Sequence, residues 1–324
     1  MYLEGVILVE WIDWGDGWQI SKLCYGVLPM GPLQKDLGPE RGAELLLDAF
    51  QRGINFIDTA QSYRTYDHIR GALEQWNGRV YIATKSGATT REDMKRAVEE
   101  AREALDRECL DIFHLHAARV DVDVFDQRRG AYEYLQECRE EGVVGRIGIS
   151  THSAPVVRRA AEEEGIDVVY PLINMTGLGI LGGDRREMEL AIEACADAGK
   201  RLYAMKVFGG GNLLGDRSAA LDYVLSLKGM DVVSIGMLHE NELTVNLGLL
   251  ENSEIDPEIW EGTAGGESKR LHILRLCTGC ETCIEHCPSG ALSVHDGQCE
   301  VDRDRCILCG YCAPHCPEFA IRMV

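Results

Sequence analysis

The feature that most restricts what this chain can fold into is a doubled cysteine run near its end. Cys277, Cys280, Cys283 and Cys287 are followed by Pro288, and Cys306, Cys309, Cys312 and Cys316 by Pro317. Both runs read C-x2-C-x2-C-x3-C-P, the spacing with which thiolates bind [4Fe–4S] clusters. Three closely spaced thiolates grip three corners of a cubane from one loop, and the fourth ligand arrives from elsewhere. A zinc site wants two CxxC pairs, not two sets of four at triplet spacing. Disulfides need an export signal, and the opening MYLEGVILVEWID carries acids where such a signal needs basic residues. Its apolar run is also broken too early for a membrane span. The 13 cysteines are therefore expected as metal ligands or buried thiols in a reducing, cytoplasmic compartment.

The segment resembles a bacterial-type two-cluster ferredoxin, including the short apolar runs Ala291–Val294 and Ala320–Val324 and the turn His295-Asp296-Gly297. The resemblance implies crossed ligation, in which the fourth Cys of each run serves the other cluster. Cluster 1 would then take Cys277, Cys280, Cys283 and Cys316, and cluster 2 Cys306, Cys309, Cys312 and Cys287. Cys299 lies outside both triplets and reads as a small residue on a hairpin strand.

The formal charge is −20, from 33 basic and 53 acidic residues. Nucleic acid and anionic membranes repel such a surface. A basic protein partner would suit it.

From about residue 22 to 252 short apolar runs alternate with amphipathic segments. The strand candidates are Lys22–Leu28, Asn55–Ala60, Val80–Ser86, Leu110–Ala117, Val144–Ser150, Val168–Asn174, Leu202–Phe208 and Val232–Met237. Helical patterns between them include Pro39–Arg52, Arg91–Leu105, Phe125–Glu141 and Arg185–Ala198. Gly53, Gly142, Gly165, Gly199 and Gly229 fall where helix C-caps are expected. Eight such units match a (β/α)8 TIM barrel in size. A doubly wound sheet is the alternative, but no GxGxxG follows the first strand. Ahead of the barrel, Glu4–Ile12 and Trp18–Lys22 flank Asp13-Trp14-Gly15-Asp16-Gly17 as a β-hairpin whose tryptophans plug the barrel bottom. The expected organisation is thus a barrel with its hairpin over 1–252, an aperiodic linker over 253–268, and a small α+β two-cluster domain over 269–324.

In such a barrel the site lies at the C-terminal strand ends. Asp58, Tyr63, Lys85 and His116 stand there, each with a dull reading alone, but harder to dismiss together. At these residues the chain resembles the aldo-keto reductase superfamily. Gly53-Ile54-Asn55-Phe56-Ile57-Asp58-Thr59-Ala60-x-x-Tyr63 is similar to its signature around a catalytic Asp and Tyr. Ala83-Thr84-Lys85 resembles its lysine strand and Asp111-Ile112-Phe113-His114-Leu115-His116 its histidine strand. The resemblance implies a catalytic tetrad in which Tyr63 donates the proton to a carbonyl that accepts hydride. Lys85 is expected to pull the Tyr63 pKa toward neutrality, Asp58 to hold Lys85, and His116 to orient the carbonyl. His114, two residues deeper, is expected as a hydrogen-bonded interior residue.

The same resemblance implies nicotinamide contacts from Ser150, Asn174, Lys206, Gly209, Gly210, Gly211, Leu213, Gly236 and Asn246. The segment after Gly236 reads Met237-Leu238-His239-Glu240-Asn241-Glu242, without the Arg or Lys that grips a 2′-phosphate, so NAD is expected to bind at least as well as NADP. Tyr170 stands where the family has Gln. The leading expectation is an NAD(P)-dependent oxidoreductase of a small carbonyl or alcohol whose ferredoxin domain relays electrons. The alternative is a barrel subunit that works by acid–base chemistry beside a flavoprotein or ferredoxin partner. A third reading makes the clusters structural staples for a segment without its own core.

Overall fold

In the computed structural model residues 7–323 are described, apart from Leu33, Arg119, Asn212, 265–269, 288–289, 304, 306–311, 314 and 319. Eight parallel strands close into a barrel: β1 Leu23–Gly26, β2 Phe56–Asp58, β3 Tyr81–Ser86, β4 Leu110–His116, β5 Val144–Thr151, β6 Val168–Pro171, β7 Arg201–Ala204 and β8 Met230–Gly236, with β8 pairing back to β1. The expected strands all form, several trimmed where the chain turns out of the sheet. The helix expected over Phe125–Glu141 is broken at Arg128 into Val124–Gln127 and Arg129–Glu140.

Strand residues alternate between two cores. One set packs outward against the helices. The other fills the barrel with Cys24, Phe56, Ala83, Ile112, Val168, Tyr170, Tyr203 and Val232. The hairpin pairs Trp11–Asp13 with Gln19–Ser21 and closes the bottom. Trp14 is buried against Phe56 and Tyr203 at 5.5 and 6.1 Å between ring centroids, and Trp18 stacks on Tyr81 at 4.8 Å. Trp11 is not part of the plug: it lies 53 % exposed and donates its indole N–H to the Gly53 carbonyl. Glu4–Val6 of the expected hairpin lie outside the described residues.

Gly53, Gly142, Gly199 and Gly229 adopt the left-handed conformation expected of C-caps, and Gly165 does not. Its constraint is space, since a Cβ there would stand 2.3 Å from the Tyr132 hydroxyl. The stretch expected as an aperiodic linker contains a helix, Pro257–Ala264. Pro at the first turn and the Asp256 carboxylate accepting the Glu258 N–H start it. Arg217 then holds it by donating to Thr263 Oγ1 and to the Thr263 carbonyl. Gly-rich composition hid a helix that tertiary contacts support.

The C-terminal module pairs β9 Leu271–Ile273 with β12 Ile321–Met323, and β10 Leu292–His295 with β11 Gln298–Val301. Asp296 and Gly297 both have positive φ, as the two-residue hairpin turn between β10 and β11 requires. Leu271, Leu274, Leu292, Ala320 and Ile321 pack with the cysteines into a small core. Among the described residues no helix is long and apolar enough to cross a membrane.

Candidate active site and cluster site

Strand register sets the geometry at the barrel mouth. Asp58 sits opposite Ala83, so Lys85 stands two residues above it; Lys85 sits opposite His114, so His116 stands two residues higher again. Asp58, Lys85 and His116 project inward by alternation. The Lys85 ammonium, 1 % exposed, donates to both Asp58 carboxylate oxygens at 2.8 and 2.7 Å and to the Thr59 carbonyl at 2.7 Å. It lies 4.8 Å from the Tyr63 ring centroid, and the Tyr63 and His116 rings meet edge to face at 6.1 Å. Thr59 and Ala60 carry the chain out of β2 into the single turn Gln61–Tyr63, which brings Tyr63 back over the barrel.

Two tyrosines complete the Asp58 cradle. Tyr203 and Tyr170 donate to its oxygens at 3.2 and 3.4 Å while stacking on each other at 3.9 Å. His114 is fully buried and hydrogen-bonded through Nε2 to the Tyr203 hydroxyl at 2.8 Å, an interior residue as expected. Gly148 makes room for it, because a Cβ there would collide with the imidazole at 2.1 Å. The composition of β7 contains no motif for Tyr203, whose role emerges only when opposite barrel walls face each other.

Electrostatics depart from expectation at Tyr63. Tyr63 lines the cavity wall, and its desolvation there raises its pKa by more than the Lys85 charge lowers it. Lys85 is already committed to Asp58, whose own negative charge opposes ionisation of the phenol. Tyr63 therefore stays a protonated phenol through the neutral range. Burial, the Lys85 charge and the Arg128 charge together push His116 down to about 3, so its imidazole is neutral. Asp58 holds Lys85 protonated against burial.

A cavity of about 1060 Å³ opens above these groups. Asp58, Tyr63 and His116 line it, as do Ser150, Tyr170, Lys206, Gly210, Gly211 and Gly236. It runs on past Leu238–Glu242 to Gly262 and Thr263, the helix that replaced the expected linker. The remaining expected cofactor contacts do not line it. Asn174 folds its own loop, donating to the Leu178 carbonyl and accepting from Thr176 and the Leu178 N–H. Gly209 and Leu213 pack on each other, and Asn246 is buried in helix Glu240–Leu250. Family position in the sequence does not fix which way a loop residue faces.

Sequence reading also missed the far wall. Leu276, Pro317, Glu318 and Arg322 of the C-terminal module line the same cavity. Nothing in their local pattern marks them, since only tertiary docking brings β12 against the Gly209–Gly211 turn.

In the module Cys277, Cys280, Cys283 and Cys316 surround one small cavity, together with Cys299. Cys316 comes from the second run, which is the crossed arrangement. Backbone N–H groups of Cys299 and Ala320 donate to the Cys277 and Cys316 sulfurs at 3.2 Å, and that of Ala291 to Cys287 at 3.3 Å. Such donors favour thiolates. Cys312 is buried nearby, whereas Cys306 and Cys309 lie outside the described residues. His286 and His315, each just before a fourth Cys, stack at 3.5 Å and mark the repeat's internal symmetry.

Residues 22–220 match the Aldo/keto reductase family. The chain belongs to that family. Residues 270–317 match the 4Fe-4S dicluster domain, so this aldo-keto reductase carries an iron–sulfur module. A probable aldo-keto reductase 1 of Glycine max is 31 % identical over 161 residues, covering 44 % of this chain and 45 % of that protein. A D-threo-aldose 1-dehydrogenase of a Pseudomonas species is 27 % identical over 232 residues, covering 61 % and 68 %. The module is 45 % identical over 47 residues to the pyruvate synthase subunit PorD of Methanothermobacter marburgensis, 14 % of this chain and 54 % of that one. The solved aldo-keto reductase of Bacillus halodurans in its holo form shares the fold, with TM-score 0.62 at 17 % identity over 78 % of this chain and 94 % of that one. The chain spans less than half the length of the Glycine max relative it matches.

Proposed function

We propose that the chain interconverts a small carbonyl compound and its alcohol at Asp58, Tyr63, Lys85 and His116 with a nicotinamide cofactor, while the module relays electrons. The convergence of Asp58, Tyr63 and His116 on one cavity, with Lys85 bound to Asp58 beneath it, supports this reading most. The cavity's course fits a nicotinamide. Ser150 stands at its lip, and a Cβ at Gly210 would meet open space, leaving backbone free to approach a diphosphate. Bound there, a nicotinamide supplies a hydride.

In this reading the Tyr63 hydroxyl gives its proton to the carbonyl oxygen as negative charge develops on it. The neutral His116 ring donates a hydrogen bond to the same oxygen, orienting it. Lys85, held charged by Asp58, stabilises the tyrosinate left behind. A raised Tyr63 pKa suits the reducing direction, because the donor is fully loaded at neutral pH. Cys277, Cys280, Cys283 and Cys316 would hold one cluster, and Cys287, Cys306, Cys309 and Cys312 the other. Clusters exchange single electrons and a nicotinamide exchanges a pair. A flavoprotein or external ferredoxin is thus the fitting partner, with a basic patch to meet the −20 chain.

The test uses anaerobic, cluster-loaded protein. NADH and NADPH binding is followed by fluorescence, and NADH oxidation is assayed with a panel of aldehydes and ketones. Tyr63→Phe keeps the ring packing and removes the proton donor, so turnover disappears while cofactor affinity persists. Full turnover by Tyr63→Phe at neutral pH refutes the assignment.

A further inference from the structure

Beneath the tetrad the barrel interior is polar, where branched aliphatic layers normally fill it, and its polar groups form one directed chain. The Asp58 carboxylate has no proton to give, so the 3.2 Å contact with Tyr203 is made by the single phenolic proton. The shorter bond between the Tyr203 hydroxyl and His114 Nε2, at 2.8 Å, is then donated by the imidazole. His114 is thus the Nε2–H tautomer, and its Nδ1 carries a bare lone pair. Two observations agree. Nδ1 has no hydrogen-bond partner among the described residues, and it lies against Gly148, where an added Cβ would stand 2.1 Å from it. Burial keeps the ring neutral, so it has one N–H to place.

The chain therefore runs one way, from His114 through Tyr203 to Asp58. Tyr170 donates to the same carboxylate at 3.4 Å, and Lys85 supplies a charged donor to both oxygens. Asp58 is gripped in this way from β3, β6 and β7 together. The phenol rings are themselves locked. They stack on each other at 3.9 Å, nearly parallel, and Phe56 packs on Tyr203 at 5.0 Å between centroids. Side chains fixed by packing hold a site in its working geometry.

We propose that Tyr203 is a positioning residue of the tetrad: it relays the His114 hydrogen bond to Asp58 and, with Tyr170, keeps that carboxylate ionised and aimed at Lys85. Donors to the charged form favour it, against a burial that favours the neutral acid. Without them Asp58 takes up a proton more readily, Lys85 loses its counter-charge, and Tyr63 loses the ammonium that stabilises its anion. The titratable groups around Asp58 are Lys85, Tyr63, Cys24 of β1, Tyr170 and Tyr203, with His114 and His116 of β4 behind them. Burial holds Cys24 and the phenols protonated and both imidazoles neutral, so Lys85 is the one cation of the set. The effect on turnover rests on the carbonyl/alcohol reading above, whereas the link between Tyr203 and Asp58 does not.

The experiment has two arms, both on anaerobic, cluster-loaded protein. Tyr203→Phe keeps the stacked ring and deletes the hydroxyl. In urea unfolding at pH 7 it should change the unfolding constant about five- to tenfold more in wild type than in Asp58→Asn, because a hydrogen bond to a charged acceptor is worth more than one to a neutral acceptor. Equal changes in the two backgrounds overturn the proposal. In turnover, Tyr203→Phe should move the acid limb of the kcat profile up by about one pH unit. Tyr203→Phe/His114→Leu, which also removes the orphaned imidazole N–H, should recover stability while the limb stays moved. A fall in kcat with the limb unmoved makes the hydroxyl a packing group and overturns the proposal. Should Tyr203→Phe not fold, Tyr170→Phe carries the same two arms with the same outcomes. No turnover of any carbonyl compound by wild type refutes the carbonyl/alcohol reading, and the unfolding arm then decides for or against Tyr203 alone.

Discussion

Asp58→Asn removes the counter-charge of a fully buried ammonium. Lys85 makes three short donor contacts, two of them to Asp58. The attraction of charges 2.7 Å apart is about 6 kcal/mol at an effective dielectric of 20. Breaking one side of such a buried pair costs about 3–5 kcal/mol. The loss has a ceiling, because Lys85 can release its proton instead. From an unfolded pKa near 10.4, doing so costs about 4.6 kcal/mol at pH 7 and about 1.9 kcal/mol at pH 9. The sign follows from which state holds the proton. In wild type the folded pKa of Lys85 is raised, so its contribution is present below the unfolded pKa and lost only as pH rises through the folded one. Between pH 7 and 9 that contribution is therefore flat. In Asp58→Asn the folded pKa is depressed, the unfolded chain binds the extra proton, and stability relative to wild type recovers by up to about 1.4 kcal/mol per pH unit. Urea unfolding of cluster-loaded protein under anaerobic conditions, followed by tryptophan fluorescence at pH 7 and pH 9, measures the difference. Asp58→Asn/Lys85→Met should regain most of the loss by removing both charges. A deficit below about 1 kcal/mol at pH 7, or one equal at both pH values, would refute the buried ion pair.

Acid should destabilise the protein through His116, whose folded pKa near 3 lies far below the unfolded value, and through His114, which burial also holds neutral; each lowers stability by up to about 1.4 kcal/mol per unit below pH 6.5, and His116→Gln should roughly halve that slope in urea midpoints taken from pH 7 to 5. Cofactor choice should respond to Glu240, which occupies Arg41 at 2.7 Å. Wild type is expected to bind NAD at least as well as NADP. Glu240→Gln releases the guanidinium for a 2′-phosphate and should shift fluorescence-measured preference toward NADPH several-fold, about one charge-assisted contact. Cys299→Ser should leave about eight irons per chain, because Cys299 serves the site with its backbone N–H to Cys277; a loss of about four by metal analysis would make the thiol a ligand.

The barrel was legible because its signals are local and periodic. Apolar runs alternated with helical patterns, and Asp58, Lys85 and His116 each close a strand whose alternation points them inward. The two cysteine runs were legible as an iron–sulfur module too, since thiolate spacing is itself the chemistry. What escaped were quantities that belong to neighbours rather than to segments. The Tyr63 pKa follows a contest between burial and a lysine already paired, and no spacing reports its winner. Helix Pro257–Ala264 stands in a stretch without periodicity because Arg217, 46 residues before Thr263, supplies its anchor. Arg322 sits in a run that reads only as a ferredoxin strand, yet it lines the same cavity as Asp58 and Tyr63 of the barrel. Each missed residue faces a surface that exists only after two distant segments dock. A fused module leaves its own core pattern intact while turning the alternate residues of one edge strand toward another domain. The place to look for shared chemistry in such fusions is therefore the polar half of the module's terminal strands, which a core-centred reading passes over as solvent-facing.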